Sequence, residues 1–306
     1  MDEYLKHHHN DKQVHDKENL SNHDKCKGHS HSHTNTKNLS FILIITMIFC
    51  VIEFFGGIWS NSLALISDSF HMLTDSLSIL IALIMAKIAA KPANNKYTYG
   101  HGRSEVIGAL INSIFMAGII VFLLYKGVDR ILNPKEVESL GIILIASGGL
   151  IVNIIAIYLL KDSHSLNSKA ALIHVIGDFL GSIAALLAGV LIYFTGFVIF
   201  DPLISILVSS ILIYPTYKII KSSIKVLMEG VPEHLNYTEV GDEIMQINGV
   251  LAVHDLHIWS MTSDHSALSA HVKINNMESW NEILEKIQET MSEKFSINHL
   301  TIQPEV

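Results

Sequence analysis

The sequence predicts an α-helical membrane protein, six transmembrane helices followed by a small α+β domain. Apolar residues make up 49% of the 306 positions and charged residues only 16%, an unusual balance for a soluble protein. The apolar residues gather into six stretches, roughly 39–60, 63–88, 105–125, 140–160, 166–195 and 202–220. Each is near or above the ~20 residues a helix needs to cross a bilayer. The stretches are apolar nearly all round, whereas helices of a soluble bundle would keep polar outer faces. The expected divisions are a histidine-rich, disordered cytoplasmic tail at 1–38, a membrane domain at 39–221 and a cytoplasmic domain at 222–306.

Lysine and arginine in the connections set the orientation. The tail, the second and fourth connections and the exit of the sixth span are rich in them, so these sides face the cytoplasm, as do both termini. Only the third connection breaks the trend, with Lys126, Arg130 and Lys135. The polar first 38 residues hold no apolar signal-peptide core. Two cysteines, Cys26 and Cys50, imply no disulfide framework. A net charge of −8 leaves no basic stripe for nucleic acid.

In the tail, eight histidines include the alternation His29, His31, His33 near Cys26, which suits loose capture of divalent ions. Span one carries Glu53, expected to face the bundle or a wet cavity, and Gly56-Gly57, which allow a neighbouring helix close. Span two carries Asp68, His71 and Asp75 on roughly one face. The following connection, 96–103, is expected to be a structured turn in which His101 is a hydrogen-bonded loop residue. Asn112, Ser113, Gly148, Gly149 and Asn153 read as packing groups of spans three and four. His164 in the fourth connection is placed to hand a cation inward, or is simply solvated. Span five brings His174 and Asp178; Asp201-Pro202 opens span six, with Asp201 at the positive end of its own helix.

Beyond residue 221, Asn236 and Glu239 resemble a capping box ahead of a short helix. Segments 250–261 and 267–275 read as a hairpin, with Leu268, Ala270, Val272 and Ile274 inward. Trp280, Ile283, Leu284, Ile287 and Met291 mark a second helix, and 297–303 a last strand. The order is α-β-β-α-β.

The chemistry lies in a repeated spacing. His71 and Asp75 are four residues apart, as are His174 and Asp178, so each pair shares one helix face. Two facing pairs make an N2O2 set suited to tetrahedral zinc, whereas magnesium or calcium would want more oxygens. Helix gluing is the alternative, but four ionisable groups at membrane depth are costly without a function. Imidazole and carboxylate also bind protons, so proton entry could drive cation exit through one alternating site.

At these residues the chain resembles the cation diffusion facilitator family, in its zinc, cadmium and cobalt efflux branch. The resemblance is carried by Ser62 to Asp75, by Tyr99-Gly100-His101-Gly102-Arg103, by His174 to Asp178 and by Val253 to Ser260. It implies a homodimeric, proton-coupled exporter of the bacterial cytoplasmic membrane, not an enzyme, with a metallochaperone-like cytoplasmic domain. It also implies a transport site of His71, Asp75, His174 and Asp178 for Zn2+, and a cytoplasmic metal site at His234, His254, His271 and Glu305. Gln303 stands where some members have another histidine, favouring one ion there over two, and the loop holding His101 has no acid before it. Asp68, absent from the span-five repeat, is expected as a supporting or entry residue. A membrane metallohydrolase and a metal sensor are the other classes; no His-Glu-x-x-His segment supports the first.

Overall fold

The computed structural model describes residues 31–161, 166–262 and 265–306. The tail histidines His7, His8, His9, His15, His23 and His29, with Cys26, and His164 lie outside the described residues. The helices are α1 (His31–Trp59), α2 (Leu63–Ala89), α3 (Ser104–Leu132), α4 (Ser139–Leu160), α5 (Leu166–Thr195), α6 (Phe200–Ile211) and α7 (Ile213–Leu227). The first helix starts at His31, ahead of the expected Leu39.

Five described spans are long and apolar enough to cross a membrane: Leu63–Ala89, Ser104–Leu132, Ser139–Leu160, Ala171–Thr195 and Phe200–Leu227. The apolar part of α1, Ile44–Trp59, is a shorter sixth. Their outer surface is covered by side chains such as Leu83, Ile114, Phe122, Leu144 and Leu207, as a helix bundle in lipid requires. The last span breaks between α6 and α7 at Leu212. Pro215, which has no N–H to give the Ile211 carbonyl and whose ring crowds it, accounts for the break.

Within the bundle α2 lies against α1, α3, α5 and α6, and α4 runs along both α1 and α5. Glycines permit the close approaches: a Cβ on Gly56 would stand 2.3 Å from Ile145 Cδ1, and one on Gly57 2.8 Å from Ile66 Cγ1. Asn153 of α4 donates to Ser182 Oγ of α5 at 3.2 Å, the interhelical bond expected of a buried polar residue in a span.

One network closes the bundle at the N-terminal end of α2. Asp201, fully buried, accepts from Ser62 Oγ at 2.5 Å and from the backbone N–H of Leu63 and Ala64 at 2.6 and 3.1 Å. The carboxylate stands in the first turn of α6, as expected, and also caps α2. It also pairs with Arg130 of α3 at 3.3 Å, and Arg130 donates to the backbone and side chain of Asn61. The arginine that broke the charge trend is thus spent on a buried pair.

The C-terminal unit comprises α8 (Tyr237–Met245), β1 (Val250–Ser260), β2 (Ser266–Ile274), α9 (Trp280–Phe295) and β3 (Ile297–Glu305), the α-β-β-α-β order expected. The sheet order is β1-β2-β3, with β1 antiparallel and β3 parallel to β2. Leu268, Ala270, Val272 and Ile274 do point inward, onto Val240, Ile244, Ile283, Ile287 and Met291. Asn236 caps α8 by accepting from Thr238 N at 3.0 Å.

Candidate metal centre

The bundle brings the two expected half-sites together. His71 Nε2 lies 3.6 Å from Asp75 Oδ2, His174 Nδ1 3.5 Å from the same oxygen, and His174 Nε2 3.6 Å from Asp178 Oδ2. Donor atoms of His71, Asp75 and Asp178 all fall within 4.8 Å of one another. Ligand atoms around tetrahedral zinc at about 2.0–2.1 Å stand roughly 3.3–3.4 Å apart, so His71, Asp75 and Asp178 would have to draw closer to share an ion, while His174, which turns one ring nitrogen to Asp75 and the other to Asp178, lies outside that three-residue group and would have to rotate to join it. Both Asp178 oxygens, Asp75 Oδ2 and His71 Nδ1 are buried with no hydrogen-bond partner among the described residues. A cluster of acceptors without donors is the electrostatic complement of a cation. Asp178 is the floor, 1% exposed, and His174 the most open member, at 40%.

Asp68 stands apart from that group, on α2 one turn before His71. It is 3% exposed and packs against Gly181 of α5, where a Cβ would lie 2.3 Å from Asp68 Oδ1. Its carboxyl faces Glu53 of α1, itself fully buried. Sequence reasoning placed Glu53 inside the bundle, and the structure agrees; the pairing depends on how α1 meets α2 and has no local signal. Gly181→Ala is expected to destabilise the protein by about 1–3 kcal/mol through overpacking, despite alanine's better helix propensity. Thermal unfolding in detergent measures this, and Asp68→Ala in the same chain should recover most of the loss.

A cleft of about 400 Å³ lies between α2, α3 and α7, lined by Ser78, Ala82, Glu105, Asn112 and Ile219 among others. Ser78 is one turn beyond Asp75 toward the C-terminal unit, so the cleft lies on that side of the four residues. The connection between α2 and α3 rests on the C-terminal unit itself. Arg103 pairs with Glu229 at 3.1 Å and donates to the Ser260 carbonyl at 3.3 Å. Tyr99 meets His299 edge-on at 6.1 Å. His101 stacks on Tyr97 at 4.5 Å, and its Nδ1 has no hydrogen-bond partner among the described residues. Its backbone carbonyl accepts from Ser104 N at 2.9 Å, in keeping with a hydrogen-bonded loop residue.

A second cluster sits on the sheet of the C-terminal unit. His254 Nε2 and His271 Nδ1 each lie 2.8 Å from a different oxygen of Glu305. These bonds hold the Glu305 carboxyl below the usual carboxylate range. The three donors fall within 4.8 Å of one another. His234, exposed in the turn before α8, is not part of that group. Asp255, which the sequence did not single out, occupies a β-bulge with φ of 50°. Its carboxylate is 3.0 Å from His257 Nε2 and 3.7 Å from His271 Nε2. His257, 64% exposed at the surface, is thereby tied to the cluster's edge.

Lipid-facing helices around a partly buried His/Asp donor set, joined to a small α+β domain, define a class: multi-pass membrane proteins that move metal cations. The chain belongs to the cation efflux family. Residues 39–228 match the cation efflux transmembrane domain, and residues 232–306 match the cytoplasmic domain of cation efflux proteins. The metal cation efflux system protein CzcD of Cupriavidus metallidurans is 38% identical, over 91% of this chain and 89% of its own. A cadmium, cobalt and zinc/H(+)-K(+) antiporter of Bacillus subtilis is 38% identical, over 91% and 92%. The zinc transporter ZitB of Escherichia coli is 33% identical, over 90% and 92%. Among solved structures, the metal-bound C-terminal domain of the C. metallidurans CzcD transporter is 36% identical, with a TM-score of 0.23; the match covers 24% of this chain and all of that one. These relatives are named as transporters, not enzymes.

Proposed function

We propose that this protein exports Zn2+ from the cytoplasm in exchange for protons, carrying the cation at His71, Asp75, His174 and Asp178. The observation that supports the reading best is the meeting of α2 and α5 at these residues, with His174 Nδ1 3.5 Å from Asp75 Oδ2 and donor atoms of His71, Asp75 and Asp178 within 4.8 Å of one another. Two imidazoles and two carboxylates complete a zinc shell without water, and they release the ion more readily than four thiolates would. Cadmium and cobalt, named for the B. subtilis relative, are secondary cargo of the same donor set. The same atoms take up protons once the metal has left, which couples the two fluxes at one site.

The cleft beside Ser78 is the cytoplasmic approach, and the Asp201–Arg130 network is the closed outer end. Both termini then lie in the cytoplasm, and the protein sits in a bacterial cytoplasmic membrane. His254, His271 and Glu305 bind a regulatory ion in the cytoplasmic domain, which joins two copies of the chain into a homodimer.

The reading is tested with purified protein in liposomes holding a zinc-sensitive dye, with zinc supplied at the cytoplasmic face. Zinc entry driven by a pH gradient and lost in Asp75→Ala supports it. Zinc movement indifferent to the gradient removes proton exchange, and no zinc movement removes the reading altogether.

A further inference from the structure

Two cations at the end of the bundle away from the C-terminal unit are left without a task. The end of α3 and the connection after it carry Lys126, Arg130 and Lys135, against the distribution of basic residues elsewhere in the chain. Arg130 is explained by its pair with buried Asp201. Among the described residues, Lys126 and Lys135 form no ion pair and no side-chain hydrogen bond. Lys126 Nζ lies 5.9 Å from the centre of the Tyr125 ring, at the outer limit of a cation–π contact.

Both lysines line one cleft of about 280 Å³ where α1, α2 and α3 meet. Its walls include Phe54 and Ile58 of α1, Ile66 and Phe70 of α2 and Phe122 of α3. The rings meet edge to face, Phe54 with Phe70 at 5.7 Å and Phe70 with Phe122 at 6.5 Å. Ile58 and Phe122 are 54% and 47% exposed on the apolar outer surface, so the cleft opens sideways toward the bilayer. Asp129 brings a carboxylate to the lining, and it already accepts from Asn133 Nδ2 at 3.1 Å. Apolar walls under a cationic mouth match a molecule with an anionic head and a hydrocarbon tail. A free anion would leave the aromatic walls unfilled, and a neutral lipid would leave the two charges unmatched. Snorkelling brings a lysine head to the interface but accounts for no cleft beneath it. The volume is near the ~300 Å³ lower bound for clefts that hold a small molecule, which suits part of one acyl chain.

We propose that this cleft binds one anionic phospholipid, its phosphate held between Lys126 and Lys135 and one acyl chain laid against Phe54, Phe70 and Phe122. Attraction at the mouth is electrostatic, each lysine near the membrane surface being worth about fivefold in affinity for an anionic lipid. Below the mouth it is close packing of hydrocarbon on aromatic rings. Ile66 and Phe70 lie on α2 between its gripped start at Leu63 and His71, so the bound chain supports the stretch of helix just ahead of the four-residue site. A phospholipid that binds only the folded protein also stabilises it by mass action. The cleft holds its lipid whether or not the four residues carry zinc.

Native mass spectrometry of the full-length protein, equilibrated in detergent with phosphatidylglycerol or with phosphatidylcholine of the same chains, counts the lipids retained. The native protein is expected to keep one phosphatidylglycerol more firmly than any phosphatidylcholine. Lys126→Gln or Lys135→Gln should weaken that lipid about fivefold, and the two together about 25-fold. Lys126→Arg with Lys135→Arg keeps it, which separates loss of charge from a folding defect. Lys161→Gln, at the other end of the bundle, should leave it unchanged. Thermal unfolding gives the same ranking, with phosphatidylglycerol raising the midpoint of the native protein more than that of the double glutamine variant. Equal retention of the two lipids, or a double glutamine variant that holds phosphatidylglycerol as the native protein does, overturns the proposal. Inorganic phosphate that raises the midpoint as far as phosphatidylglycerol does makes the site one for a free anion and overturns it too. A double glutamine variant that loses its dimer in both lipids marks the face as a contact between copies, with the same result.

Discussion

Asp178→Ala is expected to abolish zinc uptake into liposomes and to weaken zinc binding by more than about a hundredfold. Substitutions among groups that only support a metal ligand cost 10–100-fold, and Asp178 is placed to be a ligand. It is the innermost of the four, 1% exposed, and both its oxygens lack hydrogen-bond partners among the described residues. No water can readily take its place, in contrast to the open edge at His174, 40% exposed. His174→Ala should therefore retain more binding than Asp178→Ala. Isothermal titration of the solubilised protein with zinc gives both numbers, and equal losses would count against a graded site with a buried floor. Asp178→Asn sharpens the comparison, since it keeps the shape and removes the charge.

Arg130→Met is expected to destabilise the protein by about 3 kcal/mol, because breaking a buried pair by removing one partner typically costs 3–5 kcal/mol. Asp201 would remain fully buried, with only Ser62 and two backbone N–H groups to hold its charge. Arg130→Met with Asp201→Asn should lose less than Arg130→Met alone, since no unpaired charge is then left inside. Unfolding in detergent across this double-mutant cycle measures the coupling. If Arg130→Met unfolds like the native protein, the network is not holding α2, α3 and α6 together.

Much of this was legible because helix and strand periods are short. His71 with Asp75 and His174 with Asp178 repeat at four residues, so each pair declares a shared face before any tertiary structure is known. Leu268 to Ile274 alternates at two and declares its inner side in the same way. What could not be read depended on contacts between segments distant in sequence. Asp201 at the start of α6 looks like a local cap, yet its oxygens are taken by the first residues of α2, more than a hundred positions earlier. Glu53 reads as a buried acid, but nothing in span one says that Asp68 is its partner. Asp255 sits within what reads as a regular strand; the bulge that turns its carboxylate toward His257 and His271 exists only in the pairing with β2. The contact of Arg103 with Glu229 likewise joins residues 126 positions apart.

The two ends of α2 give the molecule a mechanical asymmetry. At its start the helix is gripped by Asp201 through Ser62, Leu63 and Ala64; beyond its end, the chain is pinned by Arg103 to Glu229 and Ser260. A rod fixed at both ends cannot slide or tilt without releasing one of its fastenings. His71 and Asp75 ride on that rod, so any change in their distance from His174 and Asp178 has to be taken up by α5 or by letting go of a clamp. One of those clamps is the sheet that carries His254 and His271.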